Sequence, residues 1–261
     1  MNVSFFKYQG TGNDFIVIDN RDLTFPKNNY TLIQKICHRQ FGIGADGLML
    51  LEKSEKSHFK MTYYNADGFE GSMCGNGGRC IVAFAKHLGL FDQQVTFEAV
   101  DGLHEAIVIG NEVSLGMGDV DRVEAFENHF FLNTGSPHHI VFSENVDGLN
   151  ILEDGRKIRY GAPYFEAGSN VNFVEKCAHN NLKVRTYERG VENETLSCGT
   201  GVTAAAITAH YCGKITETPI FINTLGGLLQ VDFRVVGSTY RNIVLTGPAE
   251  LVFSGLINCA L

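Results

Sequence analysis

An internal repeat limits what this sequence can fold into more than any other feature. The segments that begin at Cys74 and Cys198 read Cys-Gly-Asn-Gly and Cys-Gly-Thr-Gly, and they lie 124 residues apart. Further segments match in the same order at this offset or at one residue less. They are Thr11-Gly12-Asn13 with Thr134-Gly135-Ser136, Gly44-Ala45-Asp46 with Gly168-Ser169-Asn170, Thr62-Tyr63 with Thr186-Tyr187, and Glu70 with Glu194. Such self-similarity is typical of a unit used twice, so the sequence predicts two similar lobes with an active site between them.

Each of the two cysteines precedes a run of small and apolar residues, at positions 81–85 and 204–207, that is long enough to belong to a buried helix. A cysteine at a helix start lies at the positive end of the helix dipole, where the pKa of its thiol can fall from about 8.5 to roughly 3.5–7.5. The N–H groups of the first turn also bind anions. A buried structural cysteine is the alternative for either residue alone, but the repeat favours a paired functional role.

Composition excludes several classes of function. The 261 residues can hold two lobes, each with its own core. A net charge of −8 without any basic run argues against nucleic-acid binding. Residues 1–19 do not resemble a signal peptide, and no apolar run reaches the roughly 18 residues that span a bilayer. The seven cysteines have no disulfide or zinc spacing, so we expect a cytoplasmic protein with no membrane partner and no metal.

The chain reads as mostly strand with one long helix in each half, which predicts an α+β lobe used twice. A shorter helix is predicted at residues 31–40, and a weaker helical pattern lies at residues 147–159. The helix after Cys74 is expected to end near Gly89, because glycine commonly ends helices. No linker marks the division between the halves, which we place near residues 118–122.

Two thiols on opposite sides of one small ligand suit proton transfer at a carbon. A thiolate removes the proton from one face, and a thiol returns a proton to the other face, so the stereocentre inverts. Helix N-termini at the adjacent carboxylate would stabilise the charge that develops. No lysine stands in a recognisable cofactor setting, and we expect no cofactor.

Two histidines and a glycine motif permit other interpretations. Residues 199–204 fit a dinucleotide-binding pattern, but a polar stretch precedes them where that pattern needs a hydrophobic strand. His138 is open between a site residue and a structural one, whereas His139 is expected to be structural. Neither has companions at metal-ligand spacing.

Six motifs together resemble the diaminopimelate epimerase family, in family order from residue 5 to about residue 205. They are Thr11-Gly12-Asn13-Asp14-Phe15, Tyr64-Asn65-Ala66-Asp67-Gly68, Met73-Cys74-Gly75-Asn76-Gly77, Asn170-Val171-Asn172-Phe173, Tyr187-Glu188-Arg189-Gly190 and Cys198-Gly199-Thr200-Gly201. The resemblance implies two pseudo-symmetric lobes, each a β-barrel-like sheet around a central helix. The lobes would comprise residues 1–118, with a C-terminal strand at about 250–261 returning to them, and residues 119–249.

The same resemblance implies a cofactor-free epimerase that interconverts LL- and meso-2,6-diaminopimelate for lysine and cell-wall synthesis, commonly as a homodimer. Cys74 and Cys198 would be the acid/base pair. The substrate, a diamino dicarboxylate, would be held at its reacting carboxylate by the backbone of Gly75, Asn76, Gly199 and Thr200. Its distal end would bind Asn65, Asn170 and Arg189, its ammonium would bind Glu188, and Asn13 would line the pocket.

Two positions depart from the family pattern. Ser136 stands where an asparagine often precedes Pro-His, and it can still form a hydrogen bond to substrate. Gly47 stands where some members carry glutamine, and no role transfers to it.

The sequence leaves two rival functions open. The related proline racemase and hydroxyproline epimerase class uses a similar cysteine pair, but its ligands lack a distal charged end and its motif has histidine where this chain has Asn76. A non-catalytic anion-binding or dithiol redox protein would use the same cysteines without epimerisation.

Overall fold

The computed structural model describes residues 2–258, and these residues form two compact units. One unit comprises Met1–Leu115 with Pro248–Leu261, and the other comprises Gly116–Gly247. Each unit combines strands with two helices, which confirms the predicted α+β class.

The first unit begins with a strand pair and places a helix in each of its two parallel crossovers. Its elements are β1 (Asn2–Gly10), β2 (Asn13–Asp19), α1 (Tyr30–Cys37), β3 (Gly47–Glu52), β4 (Phe59–Asn65), α2 (Gly75–His87), β5 (Gln94–Ala99), β6 (Gly102–Ile109) and β7 (Glu112–Gly116). Strands β2 and β3 are parallel, as are β4 and β5. The pairs β1–β2, β3–β4, β5–β6 and β6–β7 are antiparallel.

The second unit repeats this plan. Its elements are β8 (Glu124–Ala125), β9 (Phe130–Asn133), β10 (Pro137–Phe142), α3 (Ile151–Tyr160), β11 (Asn170–Lys176), β12 (Asn181–Glu188), β13 (Asn193–Thr195), α4 (Gly199–Tyr211), β14 (Ile220–Thr224), β15 (Gly227–Val236) and β16 (Thr239–Pro248). Strands β10 and β11 are parallel, as are β12 and β14, and α3 and α4 lie in these crossovers. The last strand, β17 (Glu250–Asn258), belongs to the first unit and pairs antiparallel with β1.

The helices α2 and α4 are the buried helices of their units. Most of their apolar side chains, among them Phe84 in α2 and Ile207 in α4, are inaccessible to solvent. Because small residues fill much of α4, the surrounding strands approach it closely and form one hydrophobic cluster with it. This packing fixes the N-terminus of each helix relative to the strands of its own unit.

The helix boundaries follow local sequence. Helix α2 ends as predicted, and Gly89 adopts a φ of +70°, which L side chains rarely adopt. Helix α1 ends at Cys37, earlier than the predicted residue 40, because the ring nitrogen Nδ1 of His38 accepts hydrogen bonds from the backbone of Gln40 and Phe41. Within residues 2–258, no helix is long and apolar enough to cross a membrane.

Candidate active site

Cys74 is the N-cap residue of α2. Its extended backbone (φ −120°, ψ 151°) turns the chain into the helix, and its carbonyl accepts the N–H of Gly78 at 2.8 Å. The N–H of Gly77 donates to Cys74 Sγ at 3.2 Å. A hydrogen-bond donor to the sulfur favours the thiolate over the thiol. Because the half-buried side chain lies at the helix N-terminus, the helix dipole favours the thiolate as well.

Cys198 is the N-cap residue of α4, in the equivalent place of the second unit. Its carbonyl accepts the N–H of Val202 at 2.9 Å, and its side chain is largely buried. The hydroxyl of Thr200 lies 3.4 Å from Cys198 Sγ. The prediction that both cysteines begin helices is therefore confirmed, although a backbone donor caps one sulfur and a hydroxyl contacts the other.

A directional chain of hydrogen bonds leads from the core to Thr200. The side-chain nitrogen of Asn172 donates to His139 O and to His138 Nδ1, at 3.4 and 3.0 Å, while its oxygen accepts the hydroxyl of Thr186 at 2.9 Å. Since Nδ1 of His138 accepts, the neutral ring carries its proton on Nε2 and donates it to Ser136 Oγ at 3.0 Å.

Ser136 extends this chain of hydrogen bonds to Thr200, with the same order of donor and acceptor. The amide of Asn170 also donates to Ser136 Oγ, at 3.1 Å, so both lone pairs of that oxygen are used. The hydroxyl of Ser136 must then donate to Thr200 Oγ1 at 3.2 Å, which leaves the hydroxyl of Thr200 to donate to Cys198 Sγ. The structure therefore gives Ser136, predicted as a substrate contact, three partners within the protein.

Burial keeps His138 neutral. Its side chain is inaccessible to solvent, and burial together with the charge of Arg189 lowers the pKa of His138 to about 3. At neutral pH it can therefore act only as the fixed donor and acceptor described above. His139, expected to be structural, stacks on His129, and its ring Nδ1 lies 2.8 Å from the hydroxyl of Tyr164.

Asn170, the first residue of β11, is hydrogen-bonded to the turn after β12. Its side-chain oxygen accepts the backbone N–H of Arg189 at 2.9 Å, and its nitrogen donates to Pro137 O at 3.0 Å. The guanidinium of Arg189 is exposed and donates to Ala167 O at 3.0 Å. Its other N–H groups have no partner among residues 2–258, so they can bind a carboxylate.

In the first unit, the side chains of Asn13 and Asn76 are hydrogen-bonded to each other. The amide nitrogen of Asn76 donates to Asn13 Oδ1 at 3.3 Å, and the amide nitrogen of Asn13 donates to Asp46 Oδ2 at 2.6 Å. Asp46 in turn pairs with Arg39 at 2.7 Å. Asn13, predicted to line the pocket, is thus held in a polar network within its own unit.

The remaining predicted positions lie at strand and loop ends. Asn65 is exposed at the end of β4, and Glu188 is half-buried at the end of β12. Gly47 lies opposite Asn65 in the β3–β4 pair. A Cβ at position 47 would lie 2.4 Å from the ring of Tyr63, so the packing here leaves no room for the glutamine that some members carry.

Sequence patterns do not single out two residues of these networks. Asn172 lies within one of the family motifs, and its place on a buried strand indicates an internal partner but not which one. Arg79, one turn into α2, donates to Asn76 Oδ1 at 3.1 Å, although an arginine in a helix is usually exposed. Within residues 2–258, no group of three or more histidine, cysteine or acidic side chains could hold a metal ion.

Comparison with known proteins identifies the family. The sequence profile described as "Diaminopimelate epimerase" matches residues 5–123 and 130–252. A diaminopimelate epimerase of Flavobacterium psychrophilum is 54% identical over 253 residues, which cover 97% of this chain and 99% of the relative. One from Chlorobaculum tepidum is 45% identical, with 95% of this chain and 98% of the relative covered.

Among solved structures, the fold is shared with more distantly related proteins. A Bacillus anthracis phenazine biosynthesis protein of the PhzF family superposes with a TM-score of 0.80 over 99% of both chains, at 14% identity. A hydroxyproline epimerase from Agrobacterium vitis gives a TM-score of 0.69 over 98% of this chain and 92% of that one, at 16% identity. These likenesses confirm the fold, and the profile and the two relatives show that this chain belongs to the diaminopimelate epimerase family of isomerases.

Proposed function

We propose that the chain interconverts LL- and meso-2,6-diaminopimelate by proton transfer at Cα, with Cys74 and Cys198 as the two acid/base groups. The observation that carries the proposal is the repeated N-cap cysteine, with a hydrogen-bond donor against each sulfur. Family membership and the names of the relatives support the substrate.

The reaction needs one thiolate and one thiol. The thiolate takes the proton from Cα, so an S–H bond forms while the C–H bond breaks and its electron pair moves toward the adjacent carboxylate. The opposite thiol then gives its proton to the other face of Cα and becomes a thiolate. Inversion leaves the two sulfurs with exchanged protonation states, ready for the reverse direction.

Helix N-termini supply the stabilisation that the carbanion needs. The backbone N–H groups at Gly75, Asn76, Gly199 and Thr200 belong to first turns, where N–H groups have no i−4 carbonyl partner within the helix. A carboxylate there gains from both the N–H groups and the helix dipoles, and the gain increases as the charge develops.

Recognition of the distal end distinguishes diaminopimelate from smaller amino acids. The exposed guanidinium of Arg189 has N–H groups available for the distal carboxylate, and Asn170 fixes the backbone that carries it. We assign Asn65 to the same end and Glu188 to the substrate ammonium. An exposed guanidinium fits the second carboxylate of a dicarboxylate better than it fits a compact ring, which has no distal charged end.

The experiment compares epimerisation of LL-diaminopimelate by the wild type and by the Cys74→Ala and Cys198→Ala variants, monitored as meso product. Each variant is expected to lose at least about 10³-fold in kcat, because a group that performs proton transfer cannot be replaced by a methyl. Cys177→Ala, which changes a half-buried cysteine outside the networks described, is the matched control. Retained epimerisation in either cysteine variant would contradict the mechanism.

The second candidate function is a proline racemase or hydroxyproline epimerase activity, favoured by the shared fold of the Agrobacterium vitis enzyme. A panel with proline, hydroxyproline and diaminopimelate decides between them. We expect turnover of diaminopimelate alone, and turnover of a cyclic imino acid at a comparable kcat/KM would favour the second candidate.

We further propose that the protein works in the cytoplasm, in lysine and cell-wall precursor synthesis, as a homodimer. Strand β17 exposes Leu251, Val252, Phe253 and Leu256, and such an apolar surface suits association with a second copy. Sedimentation equilibrium tests the dimer, and a species of 28.7 kDa at micromolar concentration would contradict it.

A further inference from the structure

A buried arginine lies behind the N-terminus of α2. Arg79 is fully buried and donates four hydrogen bonds, all to uncharged oxygens, which are Gly75 O (3.2 Å), Asn76 Oδ1 (3.1 Å), Thr11 Oγ1 (3.3 Å) and Pro248 O (3.5 Å). No carboxylate within residues 2–258 forms an ion pair with it. A buried cation without an anionic partner is costly, and an anion that forms nearby would offset this cost.

The guanidinium keeps its charge at neutral pH. Burial lowers the pKa of Arg79 to about 10, and the thiolate forms of Cys80 and Cys74 act in the opposite direction. Cys80 is not the partner, because burial raises the pKa of its thiol far above neutrality. The thiolate of Cys74 therefore remains as the anion that Arg79 can stabilise.

The other titratable groups around this helix end are already compensated or neutral. Asp14 on β2 carries charge, but it pairs with Lys7 at 2.7 Å and with Arg39 at 2.8 Å. Burial raises the pKa of Tyr8 on β1 to about 12. Three more strands contact α2 and carry titratable groups. Glu52 on β3 pairs with Lys27 at 3.0 Å, and His104 on β6 lies 2.9 Å from Asp101 Oδ1. Glu250 on β17 accepts the amide of Gln9.

The second unit has an equivalent hydrogen bond at the start of α4, but its donor is an uncharged side chain. Residue 203, which lies 124 positions after Arg79, is Thr203, and its hydroxyl donates to Gly199 O at 2.9 Å. Both side chains therefore bond the carbonyl of the first helical residue, but only Arg79 brings a buried cation. Near Cys198, His138 is neutral at pH 7, and the cation of Arg189 is exposed and screened by solvent.

We propose that Arg79 is a positioning residue whose buried charge, acting across the first turn of α2, favours the thiolate of Cys74, so that Cys74 and not Cys198 is the resting base. Through Asn76 Oδ1 and Gly75 O it also fixes the first turn that receives the carboxylate. The inference rests on the proposed function only in treating both cysteines as acid/base groups.

The test measures the rate of iodoacetamide alkylation of each cysteine against pH, by peptide mass spectrometry on the full chain without substrate. In the wild type, Cys74 is expected to titrate at lower pH than Cys198. Arg79→Gln keeps a hydrogen-bonding side chain but removes the charge, and it should raise the apparent pKa of Cys74 by about 1–3 units. Arg79→Lys keeps the charge and should restore a titration close to that of the wild type.

Two controls separate charge from structure. Thr203→Val removes the equivalent bond in α4 and should leave the titration of Cys74 unchanged, and the titration of Cys198 should be unchanged in both Arg79 variants. Equal shifts in the Gln and Lys variants, or no shift in either, would overturn the proposal. If the Gln variant does not fold, the wild type decides, because a Cys74 that titrates at or above Cys198 contradicts the assignment.

These outcomes are separable from the proposed function. If the cysteines titrate as predicted but the chain does not epimerise diaminopimelate, only the substrate proposal is refuted. If the chain epimerises diaminopimelate but the two cysteines have equal apparent pKa values, only the role of Arg79 is refuted.

Discussion

At the scale of single residues, two asparagine side chains set the direction of the bonds at Cys198. Asn172 and Asn170 each bond a backbone carbonyl that can only accept, so the orientation of both amides is fixed. From that starting point the proton positions on His138, Ser136 and Thr200 follow in turn. The hydroxyl of Thr200 is therefore a permanent donor to the sulfur and not a rotor with several choices.

Replacement of Thr200 by valine removes this donor while it keeps the shape of the side chain. We expect the apparent pKa of the Cys198 thiol to rise by about 1 unit, because a hydrogen bond to the charged form is lost. The measurement is the pH dependence of Cys198 alkylation, together with kcat. Thr200→Ser keeps the hydroxyl and is the matched control, and equal shifts in both variants would refute a donor role.

Gly47 marks a position where sequence reasoning found no role and packing supplies one. In Gly47→Ala the new Cβ would lie 2.4 Å from the Tyr63 ring and 2.6 Å from Tyr64 O, so strand β3 must move. We expect a loss of about 1–3 kcal/mol in the free energy of unfolding, measured by urea denaturation. Gly118→Ala, where a Cβ meets nothing within 4 Å, should be nearly neutral. A neutral Gly47→Ala would show that the strands adapt.

At the scale of elements, the sequence predicted the helices that matter for the chemistry. The repeat located α2 and α4 and the cysteines at their starts, because small and glycine residues at matched spacing leave a strong pattern. It did not reveal the networks behind them, since Asn172 bonds residues that are distant in the sequence and Arg79 bonds Thr11 and Pro248 as well as its own helix turn. Side-chain contacts of this kind depend on register and packing, which a single sequence does not encode locally.

Helix α3 provides an element where helix propensity and packing oppose each other. Alanine is favoured over glycine in a helix by about 1 kcal/mol, yet a Cβ at Gly155 would lie 2.4 Å from Tyr187 Cβ. We expect Gly155→Ala to lower the free energy of unfolding by about 1–3 kcal/mol despite the gain in propensity. Lys157→Ala, on the exposed side of the same helix, should change it by less than about 0.5 kcal/mol. Stabilisation by Gly155→Ala would contradict the observed packing.

At the scale of the whole molecule, two similar units carry different charges at their cysteine helices. The duplicated architecture and the family could be read from the sequence, since the motifs and their offset are visible without coordinates. The charge of Arg79 in one unit and the neutral relay of His138 in the other could not, because burial decides both.

Burial of His138 predicts an acid-sensitive fold. The pKa of His138 is lowered to about 3 in the folded state, below its ordinary 6.5, so the unfolded chain binds the extra proton between these values. The free energy of unfolding therefore falls as the pH falls below 6.5, and the contribution of His138 to this loss is about 3 kcal/mol at pH 4. The lowered pKa of Asp14, about 2, adds a loss in the same direction below its ordinary 3.8.

His138→Gln tests this contribution, because glutamine can replace the hydrogen bonds without titrating. The free energy of unfolding, measured by urea denaturation from pH 7 to pH 4, should decline less steeply in the variant than in the wild type. His179→Gln, at an exposed histidine, is the control and should keep the wild-type slope. Identical slopes for His138→Gln and the wild type would show that His138 is not buried neutral.

The most direct test of the two-thiol mechanism is the early course of LL-diaminopimelate epimerisation in D₂O. If one sulfur removes the proton and a second sulfur donates from the other face, the first meso product carries one deuterium at the inverted Cα while the remaining substrate carries none. Deuterium that enters substrate and product together from the start, or product that forms without deuterium, would contradict the account.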